Sequence, residues 1–306
     1  MTTTRSTDMP AEDRRSTERA IERLRSLHAG EIAVLEAAAC GPRIVPELRR
    51  LLFSRESSGL FEVRVRAVFA LAKLRAHGTL LDFLRTRQTI ADPVAQLGED
   101  AVISAAALAM VNCDAVGLFD VLMELAKRPG LPGVIFALGA TRRAEAIPVL
   151  VSALSEDTSR LTAERALIRF GRAAQPALME VITGTSGTSS QSESQLRQRR
   201  SAIRLLSQMG ISFRTNHWLG VVIDDPDPKI AIVASAIALR SGSNPDKRRS
   251  IRRLLQLFVS AGWQDREDIE RSMAANAATV RLLMHHSSSL QAPGDASLAL
   301  LRRILG

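Results

Sequence analysis

The sequence predicts an all-α protein, a right-handed α-solenoid (superhelix) built from repeated helical hairpins. The first observation behind this prediction is an Ala-Leu pair that recurs inside helical apolar stretches. The second is that another apolar helix begins about ten residues after each pair. The pairs are Ala70-Leu71, Ala107-Leu108, Ala137-Leu138 and Ala166-Leu167, in steps of 37, 30 and 29 residues. One hairpin per ~30–40 residues is the sequence pattern of an α-solenoid, in which each hairpin packs on its neighbours.

Composition is the third observation. Of the 306 residues, 46% are apolar but only 4% are aromatic, and tyrosine is absent. A core of Ala, Leu, Ile and Val suits helix-on-helix packing, because small side chains let two backbones approach closely. Strand-rich domains use more aromatic and β-branched residues. The length is enough for two ordinary domains or for one continuous stack of hairpins.

The first half of the chain divides into a tail and a repeat region. Residues 1–16 are polar and are predicted to be a disordered tail. A helix is predicted from Ser16 to Leu27, ending at Gly30, where the apolar spacing stops. Residues 17–183 are predicted to form the solenoid proper, with about five hairpins.

Proline marks one position of the repeat. Pro46, Pro148 and Pro176 each precede the second apolar stretch of a hairpin. The first turn of a helix accepts proline because its missing N–H has no partner there anyway. Between two hairpins, residues 85–99 are predicted to form a longer loop, which accounts for the 37-residue step.

A Ser/Thr/Gly segment interrupts the repeats. Residues 184–195 contain no apolar side chain and are predicted to be a flexible linker. The segment lacks the Gly-Lys-Ser/Thr ending of a phosphate-binding loop. Residues 196–306 are predicted to form further, more degenerate hairpins, of which the last pair caps the stack.

The Ala-Leu positions, the proline at the start of the second helix and the repeat length together resemble HEAT-type repeats. The resemblance is closest to the short variety found in phycobilisome lyases. It covers residues 31–183 well and residues 196–306 weakly. The resemblance implies a solenoid fold, but such repeats occur in scaffolds, adaptors, chromophore lyases and a DNA glycosylase family. It therefore does not select one activity.

Positive charge is concentrated in one part of the chain. The net charge is +9, and residues 197–253, called the basic segment below, carry 12 Lys and Arg against four Asp and Glu. Such a segment can meet an acidic protein, phosphates or anionic lipids. The candidate contact residues are Arg197, Arg199, Arg200, Arg204, Lys247, Arg248, Arg249, Arg252 and Arg253. The alternative is a solvated arginine-rich face, since arginine outnumbers lysine 37 to four throughout the chain.

The side chains that usually carry catalysis or hold metals form no recognised arrangement. Cys40 and Cys113 are predicted to be free buried thiols. Asp224, Asp225 and Asp227 lie in a proline-bounded turn that suits a helix cap better than a calcium loop. The adjacent His285 and His286 point apart on a helix, so they do not readily bind one metal ion.

The two tryptophans, Trp218 and Trp263, are predicted to be core or hairpin-packing residues. They offer few stacking platforms for nucleic acid bases, and there is no tyrosine to add to them.

These observations predict a non-catalytic protein–protein interaction scaffold or adaptor, with the basic segment contacting an acidic partner. The alternatives are a nucleic-acid-binding protein or HEAT-like DNA glycosylase, and a chromophore lyase. No cofactor or metal is predicted. The chain shows no apolar run of ~18 residues and no signal-peptide pattern, which predicts no membrane span and a cytoplasmic location.

Overall fold

A computed structural model describes residues 11–26, 28, 30–54, 61–86, 90–184, 191–210, 217–285 and 295–305. Within these ranges the chain forms helices joined by turns, and no β-strand occurs among them. The predicted all-α class is confirmed. In the same ranges no helix is long and apolar enough to cross a lipid bilayer.

The helices are numbered α1 to α18 in chain order. The first nine are α1 (Ala11–Arg25), α2 (Gly30–Ala39), α3 (Val45–Phe53), α4 (Glu62–Lys73), α5 (His77–Arg85), α6 (Pro93–Ala109), α7 (Leu118–Leu125), α8 (Pro132–Thr141) and α9 (Ile147–Ser152). The others are α10 (Arg160–Phe170), α11 (Gln175–Thr183), α12 (Glu193–Met209), α13 (His217–Val222), α14 (Pro228–Ser241), α15 (Asn244–Ser260), α16 (Trp263–Ala274), α17 (Ala277–His285) and α18 (Asp295–Leu305).

The helices form two compact units, residues 1–149 and 150–306. In the first unit α4 packs against α2 and α6, and α6 packs against α8. The intervening helices α3, α5 and α7 pack in the same alternate order. Each first helix of a hairpin therefore contacts the first helix of the next hairpin.

The second unit follows the same order. Helices α10, α12, α14 and α16 contact one another in series, and α15 packs against α14, α16 and α18. The core around α15 contains Ile251, Leu254, Leu255 and Phe258, which meet apolar side chains of α16, α17 and α18. Burial of these aliphatic faces is the main stabilising contribution, at roughly 25 cal/mol per Å² of apolar surface.

The proline positions are as the sequence predicts. Pro46, Pro148 and Pro176 are each the second residue of their helix, in α3, α9 and α11. A 3₁₀ turn precedes each of these helices, at residues 42–44, 144–146 and 171–174.

The Ala-Leu pairs are confirmed at three of their four positions. Leu71, Leu138 and Leu167 are completely buried, whereas Leu108 is 42% exposed. Helix α6 has 17 residues and buries Ala105, Ala106 and Ala107 instead. In α6 the buried face includes Ala107 but not Leu108, so only the alanine of this pair is a core residue.

Three predicted boundaries differ from the observed helices. Helix α1 begins at Ala11, inside the predicted tail 1–16, of which residues 1–10 lie outside the described residues. Helix α6 begins at Pro93 with Asp92 as its N-cap, inside the predicted loop 85–99, of which residues 87–89 are not described.

Helix α12 begins at Glu193, within the predicted linker 184–195. The Ser192 hydroxyl and the Gln195 side chain form a capping box that fixes this start. Residues 185–190 of the linker lie outside the described part of the chain. Apolar patterning alone misses these helix starts, since the capping turns contain few or no apolar residues.

Cys40 and Cys113 are free thiols, as predicted, but only Cys40 is buried. The first unit also contains a buried ion pair that the sequence analysis does not identify. The Arg64 guanidinium on α4 donates to the Glu99 carboxylate on α6, with an Nη1 to Oε2 distance of 2.6 Å. Arg64 also donates to the carbonyl oxygen of Leu52 at 2.8 Å, which joins α3 to the pair.

Candidate functional site

The second unit contains a groove of about 640 Å³ on one side of α10, α12, α14 and α16. It is called the groove below. Helix α14 packs against both α12 and α16, so it lies between them as the floor. The residues that line the groove are Arg160, Glu193, Arg197, Arg200, Ser201, Arg204, Ser207, Lys229, Ile232, Val233, Ala236, Arg240, Gln264, Asp265, Asp268, Arg271 and Ser272.

The spacing of the lining residues explains how each helix reaches the groove. On α12, Arg197, Arg200 and Arg204 are three to four residues apart, which places them on one helical face. The spacing of these arginines in the sequence predicts this shared face, and the structure shows that it lines the groove. On α14, Val233 and Ala236 are partly exposed and provide apolar surface between the charged walls.

The walls differ in charge. Seven basic side chains line the groove against three acidic ones. The α12 wall is mainly basic, whereas the α16 wall contributes Asp265, Asp268 and Arg271. A hydrogen bond from Arg200 to Asp227 raises the pKa of the Arg200 guanidinium above its ordinary value, and Asp265 adds to this electrostatically. The Arg200 side chain therefore stays protonated at all physiological pH values.

The α12 arginines are all held by carboxylates. Arg204 Nη2 lies 2.9 Å from Glu164 Oε1 on α10, and Arg197 Nη1 lies 3.1 Å from Asp157 Oδ2. Arg200 Nη2 lies 2.6 Å from Asp227 Oδ2. The Asp227 carboxylate is buried, whereas the more exposed pairs of Arg204 and Arg197 contribute little to stability, about 0–1 kcal/mol each. They orient the guanidinium groups and reduce the charge that a ligand would meet.

The uncompensated charge in the groove lies elsewhere. Lys229 and Arg240 on α14 form no ion pair with the residues described, and Arg240 donates only to the Ser207 hydroxyl. Arg160, at the start of α10, likewise forms no ion pair within the described ranges. These three side chains were not among the sequence candidates, because each is isolated in the sequence. Only the packing of α10, α12 and α14 brings them together.

Arg199 differs from its neighbours because it is buried. Only 1% of its side chain is exposed, and it donates to the Asp225 carboxylate, whose side chain is fully buried. It also donates to the Ile182 carbonyl at 3.1 Å and to Gln191 Oε1 at 3.0 Å. The prediction that Arg199 belongs to a contact surface is therefore wrong. Its position on the flank of the arginine face directs it into the core.

The proline-bounded turn between α13 and α14 supplies carboxylates that form ion pairs with arginines and cap α14. Asp227 caps α14 by accepting from the Ile230 N–H at 3.1 Å, and Asp225 accepts from the Asp227 N–H at 2.9 Å. The predicted capping role is confirmed. Among the described residues no group of three or more His, Cys, Asp or Glu side chains is placed to hold a metal ion.

The candidate contact residues on α15 lie on a different surface from the groove. Arg248, Arg249, Arg252 and Arg253 are on α15 and line a shallow cavity of about 820 Å³ with Asp224, Pro245 and Gln256. Among the residues that the structure describes, none lines both this cavity and the groove. Lys247 is half-buried near the start of α15. The basic segment thus contributes to two separate places in the second unit.

The two tryptophans differ in their exposure to solvent. Trp218 on α13 is buried, as predicted, but Trp263 is 78% exposed. Trp263 is the first residue of α16 and directly precedes Gln264, which lines the groove. Its prediction as a core residue is wrong, because apolar character alone does not distinguish a core position from an exposed helix start. His285 ends α17, and His286 lies outside the described residues.

Comparison with models of known protein families and with curated proteins finds no match to this chain.

Proposed function

We propose that the protein is a non-catalytic interaction module whose second unit binds an acidic segment of a partner protein in the groove. The observation that carries the proposal is the lining of the groove, in which seven basic side chains outnumber three acidic ones around an apolar floor. Apolar surface supplies most of the affinity of a protein interface, and charge complementarity supplies specificity and association rate.

The geometry favours a helical segment. Helix α14 spans 14 residues, which corresponds to about 21 Å of floor. Lys229, Val233, Ala236 and Arg240 are three to four residues apart and share one face of α14. A helix laid along this floor would place an apolar stripe on Val233 and Ala236, with acidic side chains near its two ends toward Lys229 and Arg240. Acidic side chains on one of its flanks would face Arg204. Its other flank would face Asp265 and Asp268, where acidic residues are unfavourable.

The same lining argues against nucleic acid in the groove. Asp265 and Asp268 would repel a continuous polyanion, and no aromatic side chain is among the lining residues described. A protein segment can match a wall of mixed charge, whereas a phosphodiester backbone cannot.

The predicted architecture supports this proposal. Alternate helices contact one another in series within each unit, as expected for HEAT-like hairpins in a right-handed solenoid. Stacked solenoid hairpins commonly present an extended binding surface, and the helices that contact one another in series in the second unit line the groove. The solenoid, the HEAT-like assignment and the cytoplasmic location stay predictions.

The test uses a fluorescein-labelled helical peptide of about 14 residues, with a leucine stripe and with glutamates at both ends and along one flank. Binding is measured by fluorescence anisotropy. The double variant Lys229→Glu/Arg240→Glu should bind at least about tenfold more weakly, because two attractions become repulsions of roughly 0.5 kcal/mol or more each. Both side chains are exposed, so helicity measured by circular dichroism should not change.

Two controls make the result specific. A scrambled peptide of the same composition tests the apolar stripe and should bind more weakly than the helical probe. The variant Arg248→Glu/Arg252→Glu, on α15, carries the same charge change outside the groove and should leave peptide binding unaltered. The proposal fails if the peptide does not bind, if both peptides bind alike, or if the two double variants lose the same affinity.

A further inference from the structure

The exposed face of α15 carries arginines that the groove does not use. Arg248 and Arg252 are exposed and one helical turn apart, and Gln256 continues the same row. Arg249 and Arg253 form a second row beside them. The four guanidinium groups thus share one shallow cavity of about 820 Å³, which is called the α15 face below.

The two rows of arginines differ in their hydrogen-bond and ion-pair partners. Arg249 Nε donates to Asp224 Oδ2 at 2.7 Å, and Arg253 Nη2 donates to the Asp225 carbonyl at 3.0 Å. Both arginines are therefore fixed on the turn between α13 and α14. Arg248 and Arg252 form no ion pair with any residue described. The α15 face is thus a fixed row of arginines beside an uncompensated one.

The uncompensated row is unfavourable for the helix that carries it. Like charges one turn apart repel each other. Arg248 is also the fifth residue of α15, just past the first turn, so the helix dipole adds a small penalty for its positive charge. Helix stability therefore does not explain this pair, and a bound anion would remove both penalties.

The surroundings limit the size of that anion. Asp224 lines the same cavity, and Asp246 lies in the first turn of α15 beside the fixed row. A long polyanion crossing the face would meet these carboxylates, whereas a compact dianion between Arg248 and Arg252 would not. Guanidinium groups bind phosphate oxygens in bidentate fashion, and arginine clusters are a recurring means of recognising phosphate groups.

We propose that Arg248 and Arg252 bind a phosphate monoester dianion, with Arg249 and Arg253 closing the second side. The ligand class is a phosphorylated serine or threonine side chain or a small phosphorylated molecule. The α15 face and the groove share no residue, so this site is independent of the acidic segment proposed above.

The experiment measures anisotropy of a labelled phosphoserine peptide, of its unphosphorylated form and of a glutamate-substituted form. The phosphopeptide should bind tightest, because at pH 7 a phosphomonoester carries a charge of about −1.5 to −2 and three acceptor oxygens. The variant Arg248→Gln/Arg252→Gln should lose at least about tenfold in affinity for it. The matched control Lys229→Gln/Arg240→Gln, in the groove, should lose none.

Acidification provides a second readout. The second pKa of a phosphomonoester is about 6, so phosphopeptide binding should weaken between about pH 7 and pH 5.5 while binding of the glutamate form stays level. Competition by inorganic phosphate then separates the two ligand sources. Displacement at concentrations similar to the phosphopeptide supports a small molecule, and displacement only at large excess supports a phosphorylated protein segment.

Three results would overturn the proposal. The glutamate peptide could bind as tightly as the phosphopeptide, which would mean a general anionic surface. The two double variants could behave alike. Duplex DNA could bind more tightly than the phosphopeptide and depend on Arg248 and Arg252, which would make the α15 face a nucleic-acid interface.

Discussion

Breaking the buried Arg199–Asp225 ion pair should cost more stability than breaking any other ion pair described in the second unit. Replacing Arg199 with Met keeps much of its volume but leaves the Asp225 carboxylate without its guanidinium partner. Breaking a fully buried ion pair in this way costs about 3–5 kcal/mol. Exposure of 1% for Arg199 and 0% for the Asp225 side chain justifies the use of that range rather than the surface value.

Urea unfolding provides the assay. Trp218 is buried in α13, four residues before Val222, and Ile223 then leads into the Asp225 turn, so the fluorescence of Trp218 reports on this region. A Trp263→Phe background removes the exposed second tryptophan. With a urea dependence of about 2 kcal/mol per M, the midpoint should fall by roughly 1.5–2.5 M.

A matched exposed variant supplies the reference. Arg271→Met on α16 removes pairs with Glu267 and Asp268, in which the Arg271 side chain is 66% exposed. It should cost less than about 1 kcal/mol. If Arg199→Met costs no more than Arg271→Met, then the pair does not hold α12 to the turn, and the structural role assigned to Arg199 is refuted.

Three other substitutions test the packing. Gly133→Ala would place a Cβ 2.1 Å from the Ser104 carbonyl oxygen, so it should destabilise the first unit by about 1–3 kcal/mol or more, measured by thermal unfolding. Gly78→Ala, with open space at its Cβ in α5, should instead stabilise by about 0.4–1 kcal/mol in the same measurement. Asp227→Ala should cost about 1–2 kcal/mol in urea unfolding, because α14 loses its cap, and an unchanged midpoint would contradict that role.

The sequence patterns predict a helix well where one apolar periodicity is enough to identify its buried face. The proline positions and three Ala-Leu pairs are confirmed, because each depends only on local geometry and on one buried helical stripe. Helix starts at Ala11, Pro93 and Glu193 were missed, since polar capping residues resemble loop residues when only apolar spacing is counted.

The candidate site could be predicted only in part. The shared face of Arg197, Arg200 and Arg204 follows from spacing along one helix. Arg199 could have been placed correctly only with knowledge of its partner Asp225, 26 residues away. The groove itself combines side chains from four helices, and the sequence contains no local pattern that reports such packing.

The central claim is that an acidic segment binds over α14 in the groove, and methyl NMR of isoleucine side chains tests it most directly. Ile232 and Ile251 belong to the same apolar core, but Ile232 lies at its edge and lines the groove, whereas Ile251 is completely buried and does not line it. Adding the acidic helical peptide should shift the Ile232 methyl signals and leave those of Ile251 in place. Shifts at Ile251 without any at Ile232, or no shifts at saturating peptide, would contradict the account.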